Sequence, residues 1–258
     1  MIGRLVAAAF AFALIVVAGS LDRGAQAAEP VCRKLSYEGQ GYAVCTADLR
    51  RQEIRLFWKA PDGDPYGGFR RLLPEAGPNL VAAMNAGMYD PGLAPVGLYV
   101  ENGRELKAAN TASGEGNFHL KPNGIFFVAG GKAGVMETVA YLKRKPQAEF
   151  ATQSGPMLVI NGRIHPRITE DGPSKKIRNG VGVRDPNTVM FAISDEPVSF
   201  GVFARLFRDE LGCRDALFLD GSISSLYSPE LGRRDGLLPL GPIVGIMSRT
   251  EHAKVTRP

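Results

Sequence analysis

The chain is short of the residues that build most familiar active sites. Its 258 residues hold three cysteines, three histidines and one tryptophan. The spacing of Cys32, Cys45 and Cys213 matches no zinc-ligand pattern, and His119, His165 and His252 are isolated from one another, so a metal centre is not expected and no cofactor is read from the sequence. A serine hydrolase is not expected either, since it would need His119 or His165 as base in an unusual chain order. There is no G-x-S-x-G elbow, and the only histidine following the serines at 222–225 is His252 in the C-terminal tail. The formal net charge of +5 is spread along the chain, apart from Lys143-Arg144-Lys145 and Lys175-Lys176. The dense basic stripe with interleaved aromatics that marks a nucleic-acid partner is missing. Beyond the first 27 residues, no apolar run is long enough to span a bilayer.

That first segment is itself informative. Arg4 precedes an uncharged apolar run from Leu5 to Ala18, and Ala25-Gln26-Ala27 has the small-x-small form of a cleavage site. It reads as a secretory signal peptide cut after Ala27, which predicts a periplasmic or secreted protein with no stable membrane insertion after cleavage. With no cysteine at the cleavage point, a lipid anchor is not expected. Export permits a disulfide, and Cys32–Cys45 would close a short loop, although spacing alone does not fix connectivity.

What the chain has in quantity is glycine and proline, 31 and 18 residues, which implies many turns and short strands. Asn102-Gly103, Gly130-Gly131 and Asn161-Gly162 each separate two short apolar runs, and Asp185-Pro186-Asn187 separates a fourth pair. Asn-Gly in this setting predicts a tight hairpin, because both central residues of a type I′ turn need positive φ. Further strands are expected over 42–47, 53–58, 80–84 and 237–246, with 42–47 and 53–58 joined by the polar turn 48–51. Residues 28–40 read as an irregular lead-in, and 69–73 as a helical turn stopped by Pro74. His119 reads as a strand residue. One helix is well marked: Ser199 can cap it, Phe203, Leu206, Phe207 and Leu211 share a face, and Gly212 stops it. It leads into the apolar strand 216–219. The pattern predicts a single α+β domain over 28–258, built on a mixed, largely antiparallel sheet rich in hairpins with a few flanking helices.

Polar residues that can carry chemistry gather at strand ends and turns. They are Asn85 with Asp90, the stretch 117–124, Ser154-Gly155-Pro156, Arg178-Asn179-Gly180, and Asp220 with Ser222, Ser224 and Ser225. Each has a plainer alternative. Asp220 can hydrogen-bond its own turn, Asn85 and Asp90 can cap theirs, and Arg178 can be a surface residue opening a strand. Glu115, in a glycine-flanked loop, is a further free carboxylate.

Taken in order, NAGMYD, PVGLYVENG, KPNGIFF, SGPMLVINGR, RNGVGV and LFLDGSISS resemble the motifs of the phosphodiester glycosidase domain family over residues 80–248. The resemblance implies an exported hydrolase that cleaves a glycosidic bond to phosphate in an envelope glycan or exopolysaccharide, with a carbohydrate or sugar-phosphate substrate. The alternative on the same scaffold is a non-catalytic module that binds a glycan or a partner. Carried over position by position, the catalytic candidates are Asp220 near the anomeric carbon, Arg178 on the phosphate, and Asn85, which holds sugar hydroxyls or orients Asp220. Gly221, Ser222, Ser225, Asp90, Asn123 and Gly155 are candidate substrate contacts. Ser222 and Ile223 stand where the family has glycines, so the chain departs from the pattern where a ligand would meet bare backbone.

Overall fold

The computed structural model describes residues 30–249, so the signal peptide, its cleavage site and the basic tail lie outside the described residues. The predicted α+β domain is built from three sheets, and every registered strand pair is antiparallel. The first has seven strands in the order Cys32–Tyr37, Gln40–Asp48, Thr188–Ser194, Asn179–Asp185, Asp215–Asp220, Met157–Ile160, Arg163–Ile164. The second has five: Arg233–Arg234, Leu226–Ser228, Leu80–Asn85, Ile243–Ser248, Gln52–Phe57. The third, also of five, runs Arg104–Lys107, Tyr99–Glu101, Phe150–Ser154, Gly124–Ala129, Lys132–Glu137.

The three sheets share one core. Leu217, Leu219, Val181 and Phe191 come from the first, Ile54, Leu56, Met84 and Ile246 from the second, and Tyr99, Phe126 and Val128 from the third. The outer face of the large sheet is covered as well. Phe203, Leu206 and Phe207 of the helical segment 200–210 pack on Tyr42, Met190, Ala216 and Phe218. This two-sided burial explains why the segments 188–194 and 215–220 read as continuous apolar runs. Val189, Phe191 and Ile193 face the common core, while Met190 and Ala192 face the helix.

Local signals are realised where they depend on nearby residues. Asn102, Gly103, Gly130, Gly131, Asn161 and Gly162 all have positive φ, so the three two-residue turns adopt the predicted geometry. Ser199 caps its helix by accepting the Val202 N–H at 3.2 Å, and the chain passes through a π-helical turn, Leu206–Glu210, before Gly212 at φ 64°. Cys32 and Cys45 sit opposite one another in a hairpin and form a disulfide, and Cys213 is a free thiol whose burial pushes it up to about 12.

Several expectations are corrected. Residues 32–37 are an edge strand rather than irregular chain; its alternating polar sequence suits an edge with one face in water. Strands 40–48 and 52–57 do not pair with one another but enter different sheets, because their partners are distant in sequence. The first helix runs Phe69–Ala76, through Pro74, and stops at Gly77. The last strand begins at Ile243, while Leu237 and Leu238 lie exposed in a loop ahead of it. His119 lies in a 3₁₀ turn, Asn117–His119.

Candidate active site

Three strand ends meet where the first two sheets join. Asp215–Asp220 ends at Asp220, which is paired in register with Asn179 at the start of Asn179–Asp185. Leu80–Asn85 of the second sheet ends opposite them. Asn85 bridges the junction: its Oδ1 accepts the Ser225 N–H at 2.8 Å, its amide donates to Asn179 Oδ1 at 3.4 Å, and its carbonyl accepts Asn179 Nδ2 at 2.9 Å. Ser224 Oγ donates to Asn179 Oδ1 at 3.3 Å. Asn85 and Asn179 are fully buried, so this network fixes the junction geometry and leaves neither amide free to swing.

Arg178 is the unusual member. It is 0 % exposed, and its guanidinium lies 3.6 Å from the ring centroid of Phe200 and 5.3 Å from that of Phe218. Nε donates to the Val198 carbonyl at 2.9 Å, and Nη2 donates to the Ser174 carbonyl at 2.8 Å. Nη1 is buried and makes no hydrogen bond among the described residues. No described carboxylate pairs with this cation, and burial alone lowers it to about 10. A buried charge without a counter-ion, and with both N–H groups of one nitrogen unused, is costly to the fold unless something else requires it.

Asp220, 8 % exposed, holds the turn beside it. Its Oδ1 accepts the N–H groups of Gly221 at 2.6 Å, Ser222 at 2.7 Å and, weakly, Ile223 at 3.4 Å. Oδ2 makes no hydrogen bond with the described residues. The turn-capping alternative for Asp220 is therefore real for one oxygen and leaves the other free. Gly221 passes directly over the arginine: a methyl group there would stand 2.9 Å from Phe218 Cζ and 3.3 Å from Arg178 Nη1. Tyr89 lies close enough to Asp220 for burial first, and then that carboxylate, to push its phenol above its ordinary value. Outside the junction opens a groove of about 1160 Å³, walled by the turn at 221–225, by Lys176 and Ile177, by residues 67–70 and by the segment 233–238.

Arg178, Asp220, Asn85, Gly221, Ser222 and Ser225 are thus brought together, with Ser222 exposed and Ser225 engaged through its backbone. The remaining candidates have other partners. Asp90 Oδ1 accepts the Gly92 and Ala94 N–H groups at 2.9 and 3.0 Å and closes its own turn. Asn123 donates to the Phe118 carbonyl at 2.9 Å and accepts from Thr138 at 2.8 Å. Gly155 is a packing glycine, since a methyl group would meet Asn123 Cβ at 2.7 Å and the Phe118 carbonyl at 2.8 Å. Asn179 is singled out in the sequence only as the neighbour of Arg178 and carries no assigned role there, and Tyr89 carries none although it lies inside the NAGMYD motif; Phe200 and Phe218 look like ordinary core residues in the sequence. Among the described residues, no group of three or more His, Cys, Asp or Glu side chains converges as a metal site, and no helix is long and apolar enough to cross a membrane.

Comparison with known proteins agrees with this architecture. The chain is 40% identical over 184 residues to the uncharacterized protein YigE of Escherichia coli (strain K12), a match covering 70% of this chain and 72% of the relative. Among solved structures, the fold is similar to the catalytic domain of zebrafish N-acetylglucosamine-1-phosphodiester alpha-N-acetylglucosaminidase auto-inhibited by its pro-peptide. The TM-score is 0.56 at 14% identity, over 86% of this chain and 85% of that one. A hypothetical protein from Synechocystis is comparable, with a TM-score of 0.55 at 14% identity over 84% of this chain and 61% of its own. The family model described as phosphodiester glycosidase matches residues 78–234, which include the whole strand-end junction, and the chain belongs to that family.

Proposed function

We propose that the protein is an exported hydrolase that cleaves the bond between a sugar's anomeric carbon and a phosphodiester. The observation that carries the reading is Arg178, a fully buried guanidinium with no carboxylate beside it among the described residues, whose Nη1, unpaired among those residues, lies under the turn at Gly221 beside Asp220. A guanidinium kept in this state is suited to a phosphate oxygen, which would supply both the missing acceptor and the missing charge. Export is inferred from the signal-peptide pattern of residues 1–27.

The chemistry follows from what is left free. A phosphate monoester is a good leaving group and needs little protonation, so a strong general acid is not required. The site's task is to hold the phosphate and to stabilise positive charge at the anomeric carbon. Asp220 Oδ2 supplies the carboxylate, while Oδ1 fixes its orientation through the turn. Water adds across the broken bond: its hydroxyl goes to the anomeric carbon and its proton to the departing phosphomonoester. Asn85 and Asn179 act as positioning residues, holding the two sheets in register. Nη1 is closed off by Gly221, so contact with phosphate requires the 221–223 turn to lift. The hydrogen bonds of that turn all end on Asp220 Oδ1, which ties phosphate entry to the carboxylate.

The test is release of sugar from a panel of sugar 1-phosphodiesters by the mature protein. Asp220→Asn keeps the capping oxygen and removes the charge, and should lower kcat by about 10²–10⁴-fold with the melting temperature nearly unchanged. Undiminished turnover in that variant would remove Asp220 from the mechanism. A folded wild type that binds a glycan and releases nothing would leave a binding module on this scaffold.

A further inference from the structure

The groove outside the junction is larger than one sugar phosphate requires, and its lining has a particular chemistry. Leu237 is 99% exposed, Leu238 52% and Ile177 41%, and these are three of the five large hydrophobic side chains exposed among the described residues. Beside them stand Arg70, Lys176 and Arg234, which form no ion pair with the described residues. The leucines are not on a loose strand end. Arg233 is tied to Asp235 at 2.9 Å and to Asp195 at 2.8 Å; the Tyr89 hydroxyl donates to the Pro239 carbonyl at 3.0 Å, and the Leu240 N–H donates to the Gly67 carbonyl at 3.1 Å. The loop is pinned on both sides, and Leu237 and Leu238 project between the pins.

We propose, resting on the glycosidase reading, that the second ester of the phosphodiester is a hydrocarbon chain, and that this groove takes it: the substrate is a lipid-linked sugar phosphate. An extended glycan is the poorer fit. Pyranose rings are commonly held by stacking on tryptophan or tyrosine, and among the described residues the groove lining includes neither. Leucine and isoleucine beside unpaired cations instead match a hydrocarbon chain leaving an anionic headgroup, the combination by which proteins engage anionic lipid surfaces. With Arg178 on the phosphate under Gly221, the chain would run out past Ile177 toward Leu237 and Leu238.

The test separates the two readings by using a probe that has no sugar. Binding of farnesyl phosphate and of methyl phosphate to the mature protein is measured by calorimetry, with Leu237→Ser/Leu238→Ser alongside. Farnesyl phosphate should bind at least about tenfold more tightly than methyl phosphate, since each methylene removed from water adds to affinity. The double variant should lose most of that preference while its thermal unfolding midpoint stays within the wild-type range. Equal affinity for the two probes, or a preference untouched by the double variant, overturns the proposal; tight binding of a phosphorylated oligosaccharide with none of farnesyl phosphate does so in favour of a polymer. Hydrolysis is read separately. If methyl phosphodiesters of sugars are cleaved but farnesyl phosphate does not bind, the glycosidase reading survives and the lipid substrate does not. If farnesyl phosphate binds through the leucines and no sugar phosphodiester is cleaved, the groove takes a lipid phosphate as a ligand, and both the glycosidase reading and the lipid substrate fall.

Discussion

Two buried polar clusters lie at strand ends in this molecule and invite the same description. One surrounds Gln153, with Asn123, Thr138 and Asn110; the other surrounds Arg178, with Asn85, Asn179 and Asp220. In the first, the hydrogen bonds close. Gln153 Oε1 accepts from the Leu98 and Asn110 N–H groups, both at 2.9 Å, and Nε2 donates to the Asn110 carbonyl at 2.7 Å and to Thr138 Oγ1 at 3.3 Å. Thr138 passes the chain on to Asn123, and Asn123 to the Phe118 carbonyl. In the second they stay open: among the described residues, Arg178 Nη1 has no acceptor and Asp220 Oδ2 no donor. Both are built on buried amide side chains, although the second also holds a cation and a carboxylate. The difference is unused hydrogen-bonding capacity, and that marks a place prepared for a ligand.

If that contrast is sound, the clusters should fail in opposite ways, and the largest effect is on turnover. Arg178→Met keeps an unbranched apolar stem but removes the guanidinium that lies against Phe200 and Phe218, and should reduce kcat/KM on a cleaved phosphodiester by about 10²-fold or more. The fold should be far less affected, because removing an unpaired buried cation offsets the bonds lost to Val198 and Ser174. Gln153→Leu should do the reverse. It strands two N–H donors and two acceptors, costing about 3 kcal/mol or more in a urea unfolding series, while the residual folded fraction turns over normally. Were Arg178→Met to unfold the protein with unchanged specific activity, the arginine would be a structural prop and the comparison would collapse.

Much of this was legible from local chemistry. The Asn-Gly turns, the Ser199 cap and the strand ending at Asp220 depend on residues within a few positions, and local steric preference decides them. The ordered motifs also located the junction of Arg178, Asp220 and Asn85. Other features depend on distant partners. Strands 40–48 and 52–57 are neighbours in sequence, yet each completes a different sheet. The guanidinium of Arg178 is framed by residues 174, 198, 200 and 218, none of which carries a signal for that task. Asn123 and Gly155 entered the candidate set because a polar or small residue at a strand end looks the same whether its bonds are closed or open. Only the tertiary pairing distinguishes them.

A finer measure of the closed cluster is Thr138→Val, which keeps the shape and removes one hydroxyl. That hydroxyl donates to Asn123 and accepts from Gln153, so the cost should be about 1–2 kcal/mol in the same unfolding series, with KM unchanged. A cost near zero would mean that the cluster tolerates an open bond, which would weaken unused capacity as a marker of the other site.

The smallest effect is also the most specific. Burial lowers Arg178 to about 10, so the free protein loses this charge at a pH where an ordinary arginine keeps it. A phosphodiester remains a monoanion throughout that range, and any pH dependence of its capture then belongs to the protein. Capture requires the protonated guanidinium. Affinity governed by Arg178 should therefore be flat from neutral pH to about 9 and fall by about tenfold per unit above about 10. Bound phosphate stabilises the cation and moves the break upward, so the break should appear lower in kcat/KM, which reports the free protein, than in kcat. Arg178→Met should retain a weaker affinity with no such break. A wild-type profile flat to pH 11 would mean that the charge on Arg178 does not hold the phosphate, and the open donor at Nη1 would need another occupant.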